Sequence, residues 1–224
     1  MVSIIVPTLN EERGISSMLS CLLSLRGTKE VIVADGGSQD QTLECARSSG
    51  VKVVESTRGR GIQMHAAAAV ASGDVLWFLH ADTFPEPDAI AQIERALEQP
   101  NVVGGNFSLV FEGDGLAARQ MTWIYPRLRF IGLSYGDSGL FVRRSAYEAI
   151  GGFRPHPLFE DVDLIRRLRQ HGKFSHLDAR VFTSSRRFSG PRYARVWVQW
   201  IVLQVLFWAG VSPARLARWY GHAR

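Results

Sequence analysis

Cysteine is scarce in this chain of 224 residues, which has only two, Cys21 and Cys45. Both fall in segments with helical patterning, and neither belongs to a CxxC pair or has a histidine beside it. Two isolated thiols argue against a disulfide scaffold and a cysteine-rich zinc site. The first residues also lack the basic region and cleavage site of a secretory signal peptide. We therefore expect a cytoplasmic protein with reduced thiols.

A long apolar run is also missing. The uncharged stretch Val196–Val211 has 16 residues, whereas a membrane-spanning helix needs about 20. Its three tryptophans and the arginines on both sides suit a helix that lies in a membrane interface. A helix that packs on the protein's own core or on a second subunit is the alternative. An anionic membrane surface and a homodimer therefore both stay open as partners of residues 193–211. The flanking arginines are Arg192, Arg195, Arg215 and Arg218.

Acidic residues are few in the second half of the chain. Residues 1–112 carry 8 basic and 14 acidic side chains, a balance of −6, whereas residues 113–224 carry 18 and 7, a balance of +11. A basic half suits phosphate groups, nucleic acid or an anionic membrane. No recognisable nucleic-acid-binding module accompanies the charge, so we expect no nucleic-acid partner.

Two phosphate-binding fingerprints are absent as well. No GxGxxG follows the first predicted strand, which argues against a dinucleotide-binding domain. The residues after that strand, Pro7 to Glu12, also lack the glycine- and lysine-rich loop expected of a nucleotidyltransferase.

Strands and helices alternate in the first 80 residues. Short apolar runs at Val2–Val6, Glu30–Ala34 and Val51–Val54 are separated by segments with helical spacing of apolar residues. Val75–Leu79 is an unbroken apolar run, typical of a strand buried on both faces. The alternation predicts an α/β fold with a doubly wound, mainly parallel sheet flanked by helices. Pro7 is expected to end the first strand.

The later elements are less regular. Gly104 and Gly105 interrupt a predicted strand and indicate a bulge or a close backbone approach. The segment 116–129 is expected to be helical until Pro126 breaks it. A late strand is expected over Arg180–Thr183.

Polar residues follow three of the predicted strands at the point where each one ends. Pro7–Glu11 follows the first strand, Asp35–Ser38 the second, and His80–Asp82 the buried strand. The carboxyl ends of strands in an open α/β sheet are where ligands bind, so we expect these clusters to line one crevice. Asp82 alone would equally suit a turn or helix start. The loop Arg58–Gly61 precedes a helix and suits an anion, or is a solvated basic loop.

Acidic residues recur in two places in the second half. Asp137 lies in the stretch Gly136–Gly139 before a short apolar strand, and Glu160, Asp161 and Asp163 begin a helix. Acids at a helix start are favoured by the helix dipole, so stabilisation of the helix is an alternative to catalysis there.

Taken together, these motifs resemble those of family 2 glycosyltransferases of the GT-A fold. The resemblance covers residues 1–190 and rests on IVPTLNEE at 5–12, VADGGSQDQT at 33–42, ASGD at 71–74, FLHAD at 78–82, GDSG at 136–139 and the pair at 160–161. More narrowly, GRGIQM at 59–64, LHAD at 79–82 and SSRR at 184–187 are similar to a small bacterial subgroup labelled arsenosugar-biosynthesis glycosyltransferases.

The resemblance implies a nucleotide-sugar donor, UDP- or GDP-linked, and inversion at the anomeric carbon. It assigns Asp82 to a Mn²⁺ or Mg²⁺ ion on the diphosphate, whereas His80 replaces the first acid of the family's metal motif. Asp161 is implied as the catalytic base, with Gly136, Asp137 and Glu160 on the acceptor side. The implied donor-binding residues are Pro7, Thr8, Asn10, Glu11, Asp35, Arg58, Arg60, Gln63, His80, Arg186 and Arg187.

The expected organisation is one GT-A domain over residues 1–190 and a C-terminal helical tail over 191–224. Residues 1–100 form the nucleotide-sugar half of the domain and 101–190 the acceptor half. The acceptor is expected to be a small-molecule or lipid-linked hydroxyl, and the protein to be cytoplasmic or peripheral on the inner face of the membrane. The alternative is a non-catalytic sugar-nucleotide-binding or membrane-associated scaffold protein of the same fold.

Overall fold

The computed structural model describes residues 1–113, 115–128, 135–184 and 193–220. Within these residues the chain forms eight β-strands and nine α-helices. The strands are β1 (Val2–Thr8), β2 (Lys29–Asp35), β3 (Lys52–Glu55), β4 (Val75–Phe78), β5 (Thr83–Pro85), β6 (Val102–Glu112), β7 (Leu140–Arg143) and β8 (Lys173–Ser184). The helices are α1 (Ile15–Ser24), α2 (Thr42–Ser48), α3 (Arg60–Val70), α4 (Ala89–Leu97), α5 (Leu116–Leu128), α6 (Arg144–Ala149), α7 (Glu160–His171), α8 (Tyr193–Trp208) and α9 (Pro213–Tyr220).

The strands form one mixed sheet in the order β3-β2-β1-β4-β7-β6-β8-β5. The four strands of the N-terminal half are parallel, β1 lying between β2 and β4. In the C-terminal half, β7 is antiparallel to both β4 and β6, β6 is parallel to β8, and β5 is antiparallel to β8. The predicted α/β architecture is confirmed, and β7 joins its two halves.

Apolar side chains pack on both faces of the sheet. Along β1, the fully buried Ile4 and Ile5 belong to different core layers, because successive side chains of a strand point to opposite faces. Helices α1 and α4 cover the layer that contains Ile4 and Trp77, whereas α3 and α7 cover the layer that contains Ile5 and Phe78. This packing explains why β4 has an unbroken apolar sequence.

Three boundaries differ from those predicted. Strand β1 continues through Pro7 to Thr8, since its pairing with β4 ends at Ile5 and leaves Pro7 a strand neighbour on one side only. Strand β8 is longer than residues 180–183 because it pairs with β6 along most of its length. Helix α5 contains Pro126 and continues to Leu128, so the proline does not end it.

Gly105 allows two strands to approach closely beside the site. A Cβ on Gly105 would lie 2.2 Å from the carbonyl oxygen of Ser175 on β8, and the β6–β8 register shifts between Asn106 and Ser108. The predicted close approach is therefore confirmed. Asn106 next to it donates from Nδ2 to Ser138 Oγ at 2.7 Å, which fixes the 3₁₀ turn at Gly136–Ser138.

The C-terminal helices form a small core of their own against the loop before α7. Leu203 of α8 and Leu216 of α9 are buried together with Leu158 and Phe159. One face of α8 thus packs on the protein itself, as one of the open alternatives predicted. In the described part of the chain, no helix combines the length and apolar character that crossing a membrane requires.

Candidate active site

Asp35, at the end of β2, is fully buried and organises the first part of the carboxyl edge. Its Oδ1 accepts hydrogen bonds from Thr8 Oγ1 at 3.1 Å and Ser38 Oγ at 2.5 Å. Its Oδ2 accepts from the backbone N–H groups of Gly37 at 2.9 Å and Ser38 at 2.8 Å. These donors fill the roughly four acceptor positions of a carboxylate. The contact between Asp35 and the nucleobase of a sugar donor stays a prediction. It would require one of these hydrogen-bond donors to be displaced from the carboxylate.

The loop after β1 is tied to the loop after β2. Asn10 has a φ of 55°, a left-handed conformation that asparagine adopts more readily than most residues. Its N–H donates to Ser38 Oγ at 2.9 Å, and its Oδ1 accepts from Gln39 N–H at 2.9 Å. Glu11 N–H donates to Thr42 Oγ1 at 2.8 Å. One rim therefore holds five predicted donor-binding residues: Pro7, Thr8, Asn10, Glu11 and Asp35.

Gln63, on α3, is buried behind that rim. Its Nε2 donates to the carbonyl oxygens of Thr8 and Ala34, each at 2.8 Å, and its Oε1 accepts from Gly59 N–H at 3.3 Å. A Cβ on Gly36 would lie 2.8 Å from the amide carbon of Gln63, so this approach requires glycine. Gln63 therefore holds β1, β2 and the start of α3 together and shapes the crevice from behind.

Arg60, the first residue of α3, links the two halves of the domain. Its Nε donates to Glu160 Oε1 at 2.9 Å. Glu160 is only 3% exposed, and burial raises the pKa of its carboxyl while Arg60 opposes the rise. A Cβ on Gly61 would lie 3.0 Å from Arg154 O, so α3 packs tightly here. Arg58, by contrast, is exposed, and the two arginines predicted for the donor have different environments.

The segment after β4 brings His80 and Asp82 to the same edge. Leu79 N–H donates to Ile5 O at 3.0 Å, so the chain follows β1 for one residue beyond β4. Thr83 N–H then donates to His80 O at 3.1 Å, and β5 turns away to pair with β8. Asp82 is thereby held, half-buried, in the turn between two strands.

Asp161, in the first turn of α7, contacts the Gly136–Ser138 turn directly. Its Oδ2 accepts from Gly136 N–H at 2.6 Å, and its Oδ1 accepts from Val162 N–H at 2.8 Å. A Cβ on Gly136 would lie 2.9 Å from the Cβ of Asp161, so a side chain there would displace the carboxylate. The structure therefore brings together two motifs that are 25 residues apart in the sequence.

Asp137 lies among the other charges of the site. The hydroxyl of Tyr125 donates a hydrogen bond to its Oδ1. The pKa of Asp137 is raised to about 6, mainly by burial and in addition by the charges of Asp161 and Asp82, while Tyr125 and Arg60 oppose the rise. The charges of Asp82 and Asp161 both act on Asp137, so the acids predicted for metal, base and acceptor roles lie near one another.

Replacing Asp137 with asparagine is expected to remove a pH-dependent loss of stability. The pKa of Asp137 is raised from 3.8 to about 6 in the folded chain, so the folded state binds a proton more tightly than the unfolded state. Its stabilising contribution is complete below pH 4 and is lost as the pH rises through about 6. The wild type should therefore lose about 2 kcal/mol relative to the variant between about pH 4 and pH 7.

Urea unfolding at both pH values, without divalent metal, measures this difference. Asp88→Asn, at an exposed position before α4, is the matched control and should leave the pH dependence of wild type unchanged. Parallel stability curves for wild type and Asp137→Asn would contradict the prediction.

Aromatic residues without a sequence motif frame the acids. Tyr135 OH donates to Gln204 Oε1 of α8 at 3.0 Å, and its ring centroid lies 5.7 Å from that of Tyr125 and 5.9 Å from that of Trp200. Burial raises the pKa of Tyr135, and the nearby Asp161 raises it further. No motif predicts that these residues frame the acids. The sequence shows only that Tyr135 adjoins the Gly136 motif and that Trp200 is one of the three tryptophans in Val196–Val211.

Two groups of predicted site residues thus lie along one edge: the rim around Asp35, and the cleft with Arg60, Asp82, Asp137 and Asp161. Arg186 and Arg187 lie outside the described residues, and their donor contact stays a prediction. Among the residues that the structure describes, no group of three or more His, Cys, Asp or Glu side chains is arranged to hold a metal ion.

The order of the strands and the acid-lined edge define the class of fold, the GT-A type. Glucosyl-3-phosphoglycerate synthase of Mycobacterium tuberculosis, solved with Mn²⁺, UDP and its product, superposes with a TM-score of 0.62 at 24% identity, over 80% of this chain and 70% of that chain. The mannosyltransferase PcManGT of Pyrobaculum calidifontis, solved with GDP-Man and Mn²⁺, superposes with a TM-score of 0.67 at 21% identity. The match covers 91% of this chain and 61% of that chain.

Sequence comparisons define the family within that class. The model of glycosyl transferase family 2 matches residues 3–150, and the chain belongs to this family. An uncharacterized glycosyltransferase of Mycobacterium tuberculosis is 38% identical over 103 residues, 43% of this chain and 39% of that protein. Glycosyltransferase AglE of Haloferax volcanii is 27% identical over 177 residues, which is 69% of this chain and 56% of that protein. The chain therefore spans about two fifths to just over half the length of these curated relatives.

Proposed function

We propose that this protein transfers a sugar from a UDP- or GDP-linked donor to a hydroxyl acceptor, with inversion at the anomeric carbon. The observation that carries the proposal is that Asp161 hydrogen-bonds to Gly136 N–H beside Asp137, and that Asp82 and Asp161 are both close enough to Asp137 to raise its pKa. A transferase needs its diphosphate site and its base on opposite sides of one reacting carbon. Family membership and the nucleotide ligands of the two similar structures support the same activity.

The donor side is the rim around Asp35 and the N-terminus of α3. Asn10, Asp35 and the backbone held by Gln63 would bind the nucleoside. The N-terminus of α3 and exposed Arg58 are favourable for phosphates, because a helix N-terminus and a guanidinium both attract anions. Arg60 would act on Glu160 as well as on the donor, since it already pairs with that carboxylate.

A divalent ion, Mn²⁺ or Mg²⁺, fits this donor set. A hard cation that is already bound to a diphosphate needs only one or two protein carboxylates, and Asp82 is the half-buried carboxylate at the strand edge that would hold it. When bound, the ion neutralises the charge that develops on the leaving diphosphate. His80, two residues earlier, would contact the ribose or a water molecule of the ion.

Asp161 is the proposed base. Its two oxygens accept backbone N–H groups of Gly136 and Val162, which fixes the carboxylate against the acceptor-side turn. The acceptor oxygen forms its bond to the anomeric carbon as the bond from that carbon to the diphosphate breaks, and the hydroxyl proton passes to Asp161. Asp137 and Glu160 would orient the acceptor, a small-molecule or lipid-linked hydroxyl.

Replacing Asp82 with alanine is expected to weaken metal-dependent binding of UDP or GDP by about tenfold or more, as loss of a metal-supporting residue does. The measurement is the thermal shift that each nucleoside diphosphate produces with and without Mn²⁺, because a ligand of the native state raises its stability. Asp88→Ala is the matched control, an exposed acid six residues away.

Wild-type protein should show a Mn²⁺-dependent shift that Asp88→Ala keeps and Asp82→Ala loses. Equal, metal-independent shifts in all three proteins would remove Asp82 from the site. Binding of a nucleotide-sugar by a wild-type protein that transfers nothing to any hydroxyl acceptor would favour the non-catalytic alternative.

A further inference from the structure

Helix α8 is apolar on both of its sides. One side carries Trp200, Leu203 and Phe207, which pack with Phe159 in the C-terminal core. The other side is open, and its five large apolar residues are between 49% and 61% exposed. They are Val198, Ile201, Val202, Val205 and Trp208.

The open residues form a single strip. Their spacing of three or four residues along the chain places them on one face, because such positions are neighbours on a helix. The outward face of a surface helix is normally polar. A contiguous exposed apolar strip of this kind marks an interaction site.

The charged residues of the next helix are of one sign. Helix α9, which follows α8, exposes Arg215 and Arg218 together with Trp219, which is 61% exposed. No acidic residue follows Asp178 in the sequence. Tryptophan and arginine at the margin of an apolar surface are the side chains that a headgroup region accommodates.

We propose that this strip binds an anionic lipid surface, with α8 lying in the plane of the interface. A helix that lies in the plane of the interface makes a peripheral contact. A second copy of the chain carries the same positive charges, and like charges across an interface are unfavourable. An anionic surface attracts them instead.

Sedimentation of the full-length protein with vesicles tests the proposal. Vesicles of phosphatidylcholine with phosphatidylglycerol should bind wild type, and phosphatidylcholine alone should bind it more weakly. The double variant Ile201→Glu/Val205→Glu should lower the partition coefficient about tenfold or more, since it removes two apolar contacts. Leu23→Glu/Val70→Glu, at positions 47% and 42% exposed on α1 and α3, adds the same charge elsewhere and should bind like wild type.

The arginines give a second, independent readout. Arg215→Gln/Arg218→Gln should lower binding to the anionic vesicles roughly fivefold for each charge removed, with little effect on phosphatidylcholine. The melting temperature of every variant should stay near wild type because all substituted side chains are exposed.

Two results would overturn the proposal: equal vesicle binding by wild type and Ile201→Glu/Val205→Glu, or no vesicle binding together with a dimer that this variant dissociates. The second would make another copy of the chain the occupant. Asp161→Asn should bind vesicles like wild type, so loss of transfer and loss of docking remain distinguishable.

Discussion

Replacing Asp161 with asparagine is expected to lower the rate of sugar transfer by about 10²- to 10⁴-fold, the usual contribution of a general base. Asparagine has the same shape, and its amide oxygen can still accept the hydrogen bond from Gly136 N–H, which wild type makes at 2.6 Å. The fold of the acceptor-side turn should therefore survive. The amide nitrogen cannot accept the second hydrogen bond, from Val162 N–H, and the variant can no longer take a proton from the acceptor.

The measurement is release of nucleoside diphosphate from the donor that thermal shifts identify, with an accepted hydroxyl compound present. Binding of that donor should change little in Asp161→Asn, because the rim around Asp35 is untouched. Asp88→Asn should retain full activity. Transfer at a near wild-type rate in Asp161→Asn would refute the assignment of the base.

Replacing Asp163 with alanine is expected to destabilise the protein by about 3–5 kcal/mol, the cost of breaking a buried ion pair from one side. Arg167 Nη2 lies 2.8 Å from Asp163 Oδ2, and both side chains are about nine-tenths buried. Arg154 contacts the other oxygen at 3.3 Å. Without the carboxylate, the charge of Arg167 stays buried beside the carbonyl oxygens of Ile150 and Gly152 alone.

Urea unfolding gives the free energy of unfolding for this comparison. Glu148→Ala provides the control, because its contact with Arg144 is long, 3.9 Å, and Glu148 is 65% exposed, so a loss of no more than about 1 kcal/mol is expected. A similar small loss for Asp163→Ala would show that water or rearrangement compensates the buried arginine.

These two experiments distinguish the roles of Asp161 and Asp163, which are only two residues apart in the sequence. Asp161 and Asp163 lie in the same turn of α7, where the helix dipole explains either one equally well. The structure distinguishes them by partners: backbone N–H groups of the acceptor side for Asp161, and two arginines for Asp163. These contacts support the structural interpretation for Asp163, whereas the catalytic role of Asp161 stays a prediction.

The fold was predictable where it depends on local patterns. Changes in the spacing of apolar residues identify the four parallel strands and their helices. Burial of one or both faces of an element determines which neighbouring positions are apolar. The reversal at β7 and the full length of β8 were not predictable. Both depend on pairing with strands distant in the sequence, as β8 with β6, and no local pattern reports a distant partner.

The candidate site, like the fold, could be predicted from the sequence only in part. Polar clusters at strand ends, and the family resemblance, predicted which residues meet at the carboxyl edge, and membership of the family is confirmed. They did not predict the pairing of Arg60 with Glu160 or the way Gln63 spans two strands. Those contacts are set by side-chain packing between elements. The metal, base and donor roles, and the narrower subgroup, stay predictions.

The contact between Tyr135 and Gln204 bears on how far this chain can be shortened while its candidate site stays intact. A chain ending at residue 190 would keep every predicted donor and acceptor residue. It would nevertheless lose the partner of the Tyr135 hydroxyl and the ring of Phe207, which stacks on Phe159 with centroids 4.7 Å apart. Since Phe159 immediately precedes Glu160, the start of α7 would lose this support. A fragment that keeps these contacts has to include α8 and, because Leu216 is buried in the same core, α9 as well, although no motif lies there.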